Sequence, residues 1–251
     1  MMKDSILVTI ITVAYNSEAT IKRTIESVLA QTYPNIEYLI VDGGSTDNTV
    51  KIAEEFRSSF AEADGKSMRI ISEPDNGMYD ALNKGVRLAK GRLIGNINAD
   101  DWYEPWAVED MVAFYEKEHF DLAWADLVIH KKSGDFVKRA KVGKLWTTAH
   151  FCHPTMFGTK DCEMKFPYAV LQMDDDFDMV LRANKAGAKI MALDKVLAHY
   201  TFGGMSTQRS LKKMNSRIWM KYRTYVRNGY SRLYWFYCVA VELAKFVLGG
   251  E

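Results

Sequence analysis

The sequence predicts an α/β protein: a doubly wound, mostly parallel sheet flanked by helices, with a C-terminal helical appendage. Three observations predict it. Apolar runs of strand length alternate with segments whose apolar residues recur every three or four positions. The connections between successive runs are long enough for the crossovers that join parallel neighbours. Finally, Thr201 to Val241 contains no Asp or Glu yet carries Arg209, Lys212, Lys213, Arg217, Lys221, Arg223, Arg227 and Arg232, which sets a basic, aromatic-rich segment apart from a clearly acidic remainder.

The first run, "ILVTIITVA", has no small-residue cleavage site after it and passes straight into "YNSEAT", so it reads as a buried strand rather than a signal peptide. Ser17 then signals a helix whose inner face is Ile21, Ile25, Val28 and Leu29. "EYLIVD" is the second strand, and Ser45 or Thr46 signals the helix after it. "MRIIS" is the third strand, with a helix over "DNGMYDALNKG" that places Met78 and Leu82 inward. "RLIGNINA" is the fourth, and Pro105 suits a first helical position. Two apolar runs around "KKSGD" predict a hairpin, and "VLQMDDDFDMVLRANKAGAKI" reads as an acidic turn entering a helix that Gly187 stops.

With 251 residues, 48% hydrophobic and 26% charged, the chain can bury one large core or a core plus an appendage. Cys152, Cys162 and Cys238 form no even framework, so free thiols in a reducing, cytoplasmic setting are expected.

In doubly wound sheets ligands bind beyond the carboxyl ends of the strands. Two ends carry chemistry. Asp42 is followed by glycines and hydroxyls before a helix, a turn that offers backbone N–H groups to a polar ligand. Asp100 and Asp101 end the fourth strand; two adjacent acids repel each other unless a cation offsets them, and hard divalent cations take oxygen ligands, phosphates included. The alternative is a solvated turn that caps the next helix. Neither GxGxxG nor GxxxxGK[ST] occurs, so dinucleotide and P-loop sites are not indicated.

"ITVAYNSEATIKRTIESVLAQTYPNIEYLIVDGGSTDNT" and "SEPDNGMYDALNKGVRLAKGRLIGNINADDWYEP" together resemble the family 2 glycosyltransferases of the GT-A fold, inverting enzymes of bacterial cell-surface polysaccharide pathways. The resemblance covers nearly all of the first 110 residues. It implies that Ala14, Tyr15, Asn16 and Asp42 border the nucleotide pocket, that Asp101 ligates a divalent metal (Mn²⁺ or Mg²⁺), and that Asp100 lies near the ribose or behind the ligand. Asn98 stands where a strict DXD motif would have Asp. Asp80 and Lys84 fall in a segment that passes near the donor, one suited to a hydroxyl and the other to a phosphate, against a plain reading as solvated helix charges. Asp176 to Arg182 matches the spacing of the family's acidic motif and Arg, so Asp176 takes the place of the general base and Asp175 that of its acidic neighbour. The acids around Asp176 would raise its pKa and a helix N-terminus would lower it.

His150 and His153 bracket Cys152, but no second ligand pair follows, so zinc is not indicated; His153 is instead expected in the acceptor cleft. His199 is a candidate third metal ligand, with a partly buried structural histidine as the alternative. Gly203 and Gly204 are candidate hinges of a loop beside the site.

The expected organisation is a catalytic domain over 1–204, with a nucleotide-sugar half (1–110) and an acceptor half (111–204), followed by a basic aromatic tail over 205–251. The expected partners are a nucleoside-diphosphate sugar, a UDP-sugar, and a glycan or lipid-linked acceptor. The tail is interrupted by Glu242 and Lys245 and is a poor spanning helix. Its composition suits an anionic membrane on the inner face of the plasma membrane, with packing on the catalytic domain or on a second subunit in a homo-oligomer as alternatives. A nucleic-acid partner is not expected. Two other functions are weighed: a nucleotidyltransferase, which would need a Gly- and Lys/Arg-rich phosphate loop that "VAYNSEAT" lacks, and a sugar-nucleotide-binding or membrane scaffold protein without transfer activity.

Overall fold

A computed structural model describes residues 5–143, 145, 147–171, 175–202 and 210–248. In order, the chain forms β1 (Val8–Ala14), α1 (Ile21–Leu29), β2 (Ile36–Asp42), α2 (Thr49–Glu54), α3 (Arg57–Glu62), β3 (Lys66–Ser72), α4 (Met78–Leu88) and β4 (Leu93–Asn96). There follow β5 (Trp102–Tyr103), α5 (Ala107–Glu118), β6 (Leu122–His130), β7 (Phe136–Lys138), β8 (Phe157–Thr159), α6 (Lys160–Lys165), α7 (Asp175–Lys185), β9 (Ile190–Thr201), α8 (Leu211–Arg227) and α9 (Tyr234–Leu248).

The described strands form one sheet in the order β3-β2-β1-β4-β8-β6-β9-β5, with β7 on β6. β3, β2, β1 and β4 are parallel throughout. Every residue of β1 and β2 is buried, as expected where helices cover both faces of a parallel sheet. Ala14 pairs with Asp42, so these two strands end level and their exit loops lie side by side. Beyond β4 the sheet is mixed: β8 is antiparallel to β4 and β6, β9 is parallel to β6, and β5 is antiparallel to β9. β5 leaves β4 almost at once in the chain yet pairs with the strand at the far edge, so the sheet curls back on itself. That curl returns Trp102 and the acids before it to His199 and Thr201 at the end of β9.

Three helices begin later than their sequence signals. α1 starts at Ile21 after a turn in which the Ser17 carbonyl accepts from the N–H groups of Thr20 and Ile21. α2 starts at Thr49, because Asp47 takes both the Thr49 N–H and hydroxyl and holds the preceding residues in the loop. α5 starts at Ala107, two residues beyond Pro105. In α4 it is Tyr79 and Leu82 that face inward, while Met78 is 38% exposed. The expected hairpin is present, with Ile129 opposite Phe136. Gly187, at φ +85°, follows α7 in a conformation that glycine adopts without strain. The three cysteines are buried free thiols.

The tail helices pack on the sheet's helical layer. Ile218, Tyr225 and Cys238 are buried, and Tyr225 meets Phe177 of α7 edge-on at 6.1 Å between ring centroids. Arg227 reaches the Asp175 and Asp178 carboxylates at the start of α7, at 3.4 and 2.9 Å. Gly203 and Gly204, and the expected domain boundary beside them, lie outside the described residues. Among the described residues no helix is long and apolar enough to cross a membrane.

Candidate active site

The exit loops of β1 and β2 are knitted together. Asn16 sits in the left-handed region at φ 47°, which Asn tolerates better than most residues; its N–H donates to Ser45 Oγ and its Oδ1 accepts from the Thr46 N–H at 2.9 Å. Asp42 is fully buried and accepts from the N–H groups of Gly44 and Ser45, from the Ser45 hydroxyl and from Ser72 Oγ. In this structure its carboxylate therefore shapes the turn. A Cβ on Gly43 would lie 2.7 Å from Asp75 Oδ2, so the loop after β3 comes close to this turn. Ala14 ends β1 buried, and Tyr15 beside it is 63% exposed.

The acids after β4 occupy different environments. Asp101 is fully buried, its Oδ1 has no hydrogen-bond partner, and its Oδ2 accepts from the Asn98 amide at 3.4 Å. Burial first, and then the neighbouring Asp100, push its carboxyl well above the usual range, only partly opposed by the Thr201 N–H, Asn98 and Arg23. Asp100 is also raised, by burial. A buried carboxylate oxygen without a donor is costly unless something supplies positive charge, so the pair fits a hard divalent cation. Arg23, unmarked in the sequence, stacks 3.6 Å over the Trp102 ring and donates to the Asp100 carbonyl at 2.8 Å and to Thr201 Oγ1 at 3.2 Å.

His199 is not available to that cation as it stands. Its Nε2 meets Glu104 Oε1 at 2.9 Å and its Nδ1 meets His130 Nε2 at 2.9 Å, with the ring stacked on Trp102. Among the described residues no three His, Cys, Asp or Glu side chains converge as a metal group. The β5–β9 pairing places His199 opposite Trp102.

Asp80 and Lys84 are turned to local work. Asp80 Oδ2 accepts from the Asn76 N–H, which fixes the entry to α4, and Lys84 bridges Glu73 at 2.9 Å and the Pro74 carbonyl at 3.1 Å. The residue between Met78 and Asp80 carries more: the Tyr79 hydroxyl donates to Asp176. This contact brings the start of α7 to the start of α4, at the same end of the sheet as the exit loops.

Asp176 is half-buried and lines a cleft of about 390 Å³. The Phe177 N–H donates to its Oδ1 at 2.7 Å. Burial raises its pKa to about 6, held from rising further by Phe177, Tyr79 and the nearby Lys138. Of the neighbouring described acids, Asp178 is paired with Arg182, Arg227 and Asn228, and Asp175 with Arg227. His153 lines the same cleft; burial lowers its pKa to about 4, so it is neutral at pH 7, and its Nε2 has no partner. The opposite wall comes from α8 and α9 through Arg217, Lys221, Glu242 and Lys245.

Behind Asp176 lies an unexpected buried acid. Glu163 is 1% exposed, neither carboxyl oxygen has a hydrogen-bond partner, and burial raises its pKa to about 8. It lies against Asn96, whose amide donates to the Tyr168 hydroxyl at 3.2 Å, and Tyr168 stacks on Tyr79 at 5.4 Å.

Comparison with known proteins shows the chain's relatives. A family model for glycosyl transferase family 2 matches residues 9–176. A PGL/p-HBAD biosynthesis glycosyltransferase of Mycobacterium bovis is 29% identical over 84% of this chain and 84% of its own length. A UDP-Glc:alpha-D-GlcNAc-diphosphoundecaprenol beta-1,3-glucosyltransferase of Escherichia coli, WfaP, is 37% identical over 52% of this chain, which spans about half (49%) of that relative. Among solved structures, Staphylococcus aureus TarS (residues 1–349) in complex with UDP-GlcNAc superposes with a TM-score of 0.69 over 95% of this chain and 72% of that one, at 18% identity.

Proposed function

Because the chain belongs to glycosyl transferase family 2, we propose that it moves a sugar from a UDP-sugar to a hydroxyl of a glycan or lipid-linked acceptor, with inversion at the anomeric carbon. The donor nucleotide would sit against Ala14, Tyr15, Asn16 and the Asp42 turn. Asp101 and Asp100 would hold a divalent cation on the diphosphate; when bound, such a cation offsets negative charge on the leaving group. The acceptor oxygen attacks the anomeric carbon, the carbon–oxygen bond to the diphosphate breaks with its electron pair, and the acceptor proton passes to the Asp176 carboxylate. A carboxylate of pKa about 6 is ionised at neutral pH yet basic enough to take that proton as the bond forms. Neutral His153 can hydrogen-bond the acceptor without repelling a cation.

The observation that carries the donor half of this reading is the buried Asp101 oxygen without a partner. Thermal denaturation with UDP, GDP, dTDP, CMP and their sugars, in Mn²⁺, Mg²⁺ or EDTA, tests it. UDP and its sugars are expected to raise the melting temperature only with metal. Asp101→Asn is expected to abolish that rise without lowering the melting temperature of the free protein, since the substitution removes a buried charge. Equal stabilisation in EDTA, or in the variant, would remove the metal role. An NMR spectrum of the product showing the donor's own anomeric configuration would remove inversion.

The reading extends to a peripheral place on an anionic membrane, at its inner face. Leu233, just before α9, and Phe236, Ala240, Leu243 and Val247 along it recur at three- and four-residue spacing, and Leu233, Phe236 and Val247 are 70–74% exposed, with Arg232 exposed beside them. An exposed apolar stripe flanked by cations suits the headgroup boundary of anionic lipid. The full chain is expected to co-sediment with phosphatidylglycerol vesicles at low salt and to release when Phe236 and Val247 are both changed to Glu. A concentration-dependent dimer lost in the same variant, with no vesicle binding, would assign the stripe to a second subunit.

A further inference from the structure

The cleft that holds Asp176 is lined by cations from both of its walls. Lys138, at the end of β7, is close enough to lower the Asp176 pKa, and its Nζ donates to the Phe151 carbonyl. Arg217 and Lys221 of α8 and Lys245 of α9 line the opposite side. Those three converge on one carboxylate, Glu242, at 2.8, 2.8 and 3.3 Å. Burial works to raise Glu242, but Lys221, Lys245 and Arg217 outweigh it and hold the carboxyl down at about 2. The cations thus crowd one another beside the proposed base. A neutral sugar needs no such wall; a phosphate does, since charge-assisted hydrogen bonds from several donors are what retain it.

We infer that the C-terminal helix pair is the phosphate-recognising wall of the acceptor cleft: the acceptor carries a phosphate or diphosphate held by Lys138 and the α8–α9 cations, while its sugar hydroxyl faces Asp176. This rests on the transferase reading only for where the hydroxyl points. The phosphate could be borne by a lipid or by a soluble sugar phosphate, and the tail helices would then serve the acceptor site as well as any surface outside it.

The test is direct binding by calorimetry to the full chain using geranyl diphosphate, geraniol and inorganic pyrophosphate, first in EDTA and then in Mg²⁺ with and without saturating UDP. Geranyl diphosphate is expected to bind at least about ten-fold tighter than geraniol, and to bind equally well with UDP present. Lys138→Ala and Lys245→Ala are each expected to weaken it about five- to ten-fold while leaving the melting temperature near that of the parent, because Lys245 is 60% exposed and Lys138 is anchored by one carbonyl. Pyrophosphate binding as tightly as the lipid analogue would indicate a soluble phosphate acceptor; binding much weaker would indicate a lipid-borne one. Loss of binding in the presence of UDP would place the diphosphate in the donor pocket and overturn the inference, as would unchanged binding in both lysine variants. Asp101→Asn should bind geranyl diphosphate as the parent does, so failure of the donor reading and failure of this one remain separate.

Discussion

Asp176→Asn is expected to lower kcat by about 10²- to 10⁴-fold, the usual contribution of a positioned general base, while leaving the nucleotide-induced thermal shift intact. The substitution keeps the shape of the side chain and the Phe177 N–H contact but removes the ability to take a proton. In the parent, kcat/KM should rise with pH through about 6, the value to which burial lifts this carboxyl, and level off above it. Tyr79→Phe supplies the control. The Tyr79 hydroxyl donates to the ionised form and so holds the pKa down; without it the acid limb should move to higher pH, with the plateau rate largely kept. If Asp176→Asn retains parental turnover, the base lies elsewhere; if it binds donor but does not turn over, the non-catalytic scaffold reading falls with it.

The second large effect concerns stability. Glu163 has a folded pKa of about 8 against the ordinary 4.5, because burial disfavours its charged form. Between those values the native state binds more protons than the unfolded state, so stability is fully present below pH 4.5 and falls as pH rises towards 8. The slope from this group is about 1.4 kcal/mol per pH unit at most, so by pH 8 the cost is several kcal/mol. Glu163→Gln is neutral and nearly isosteric. It should match the parent below pH 4.5 and become progressively more stable than it up to pH 8, measured as the denaturation midpoint at each pH. Parallel curves for the two proteins would show that Glu163 stays ionised in the fold. The same variant reports on Asp176, because Asn96, Tyr168 and Tyr79 stand between the two acids and a shifted acid limb would show that the chain of contacts is felt at the base.

The parallel half of the fold was legible because its chemistry is local. β1 and β2 are buried on both faces and so appear as unbroken apolar runs, and α1 shows Ile21, Ile25 and Val28 at helical spacing. β9 escaped notice: its apolar runs, at 190–193 and 196–198, are short and broken by Asp194 and Lys195, and its burial changes along its length. Helix starts were displaced where a side chain, such as Asp47, found a better use in the preceding loop.

The amino-acid sequence by itself determined the parallel strands, the two acidic strand ends and the acidic start of α7, because apolar runs, turn residues and charge repulsion act over a few neighbouring positions. Only the tertiary structure decided which acids find donors inside the fold and which are left without them. Asp42 and Asp178 look as reactive as Asp101 and Asp176 in the chain, but the first two are satisfied by donors brought to them, from Ser72, Arg182 and Arg227. It also decided that His199 spends both ring nitrogens on Glu104 and His130, that Arg23 reaches the Asp100 carbonyl and Tyr79 the Asp176 carboxylate, and that the basic tail forms a wall of the cleft beside Asp176. The reason is the same throughout. Whether a polar group is free to act depends on burial and on partners distant in the chain, and those are fixed only when the sheet curls and the helices pack.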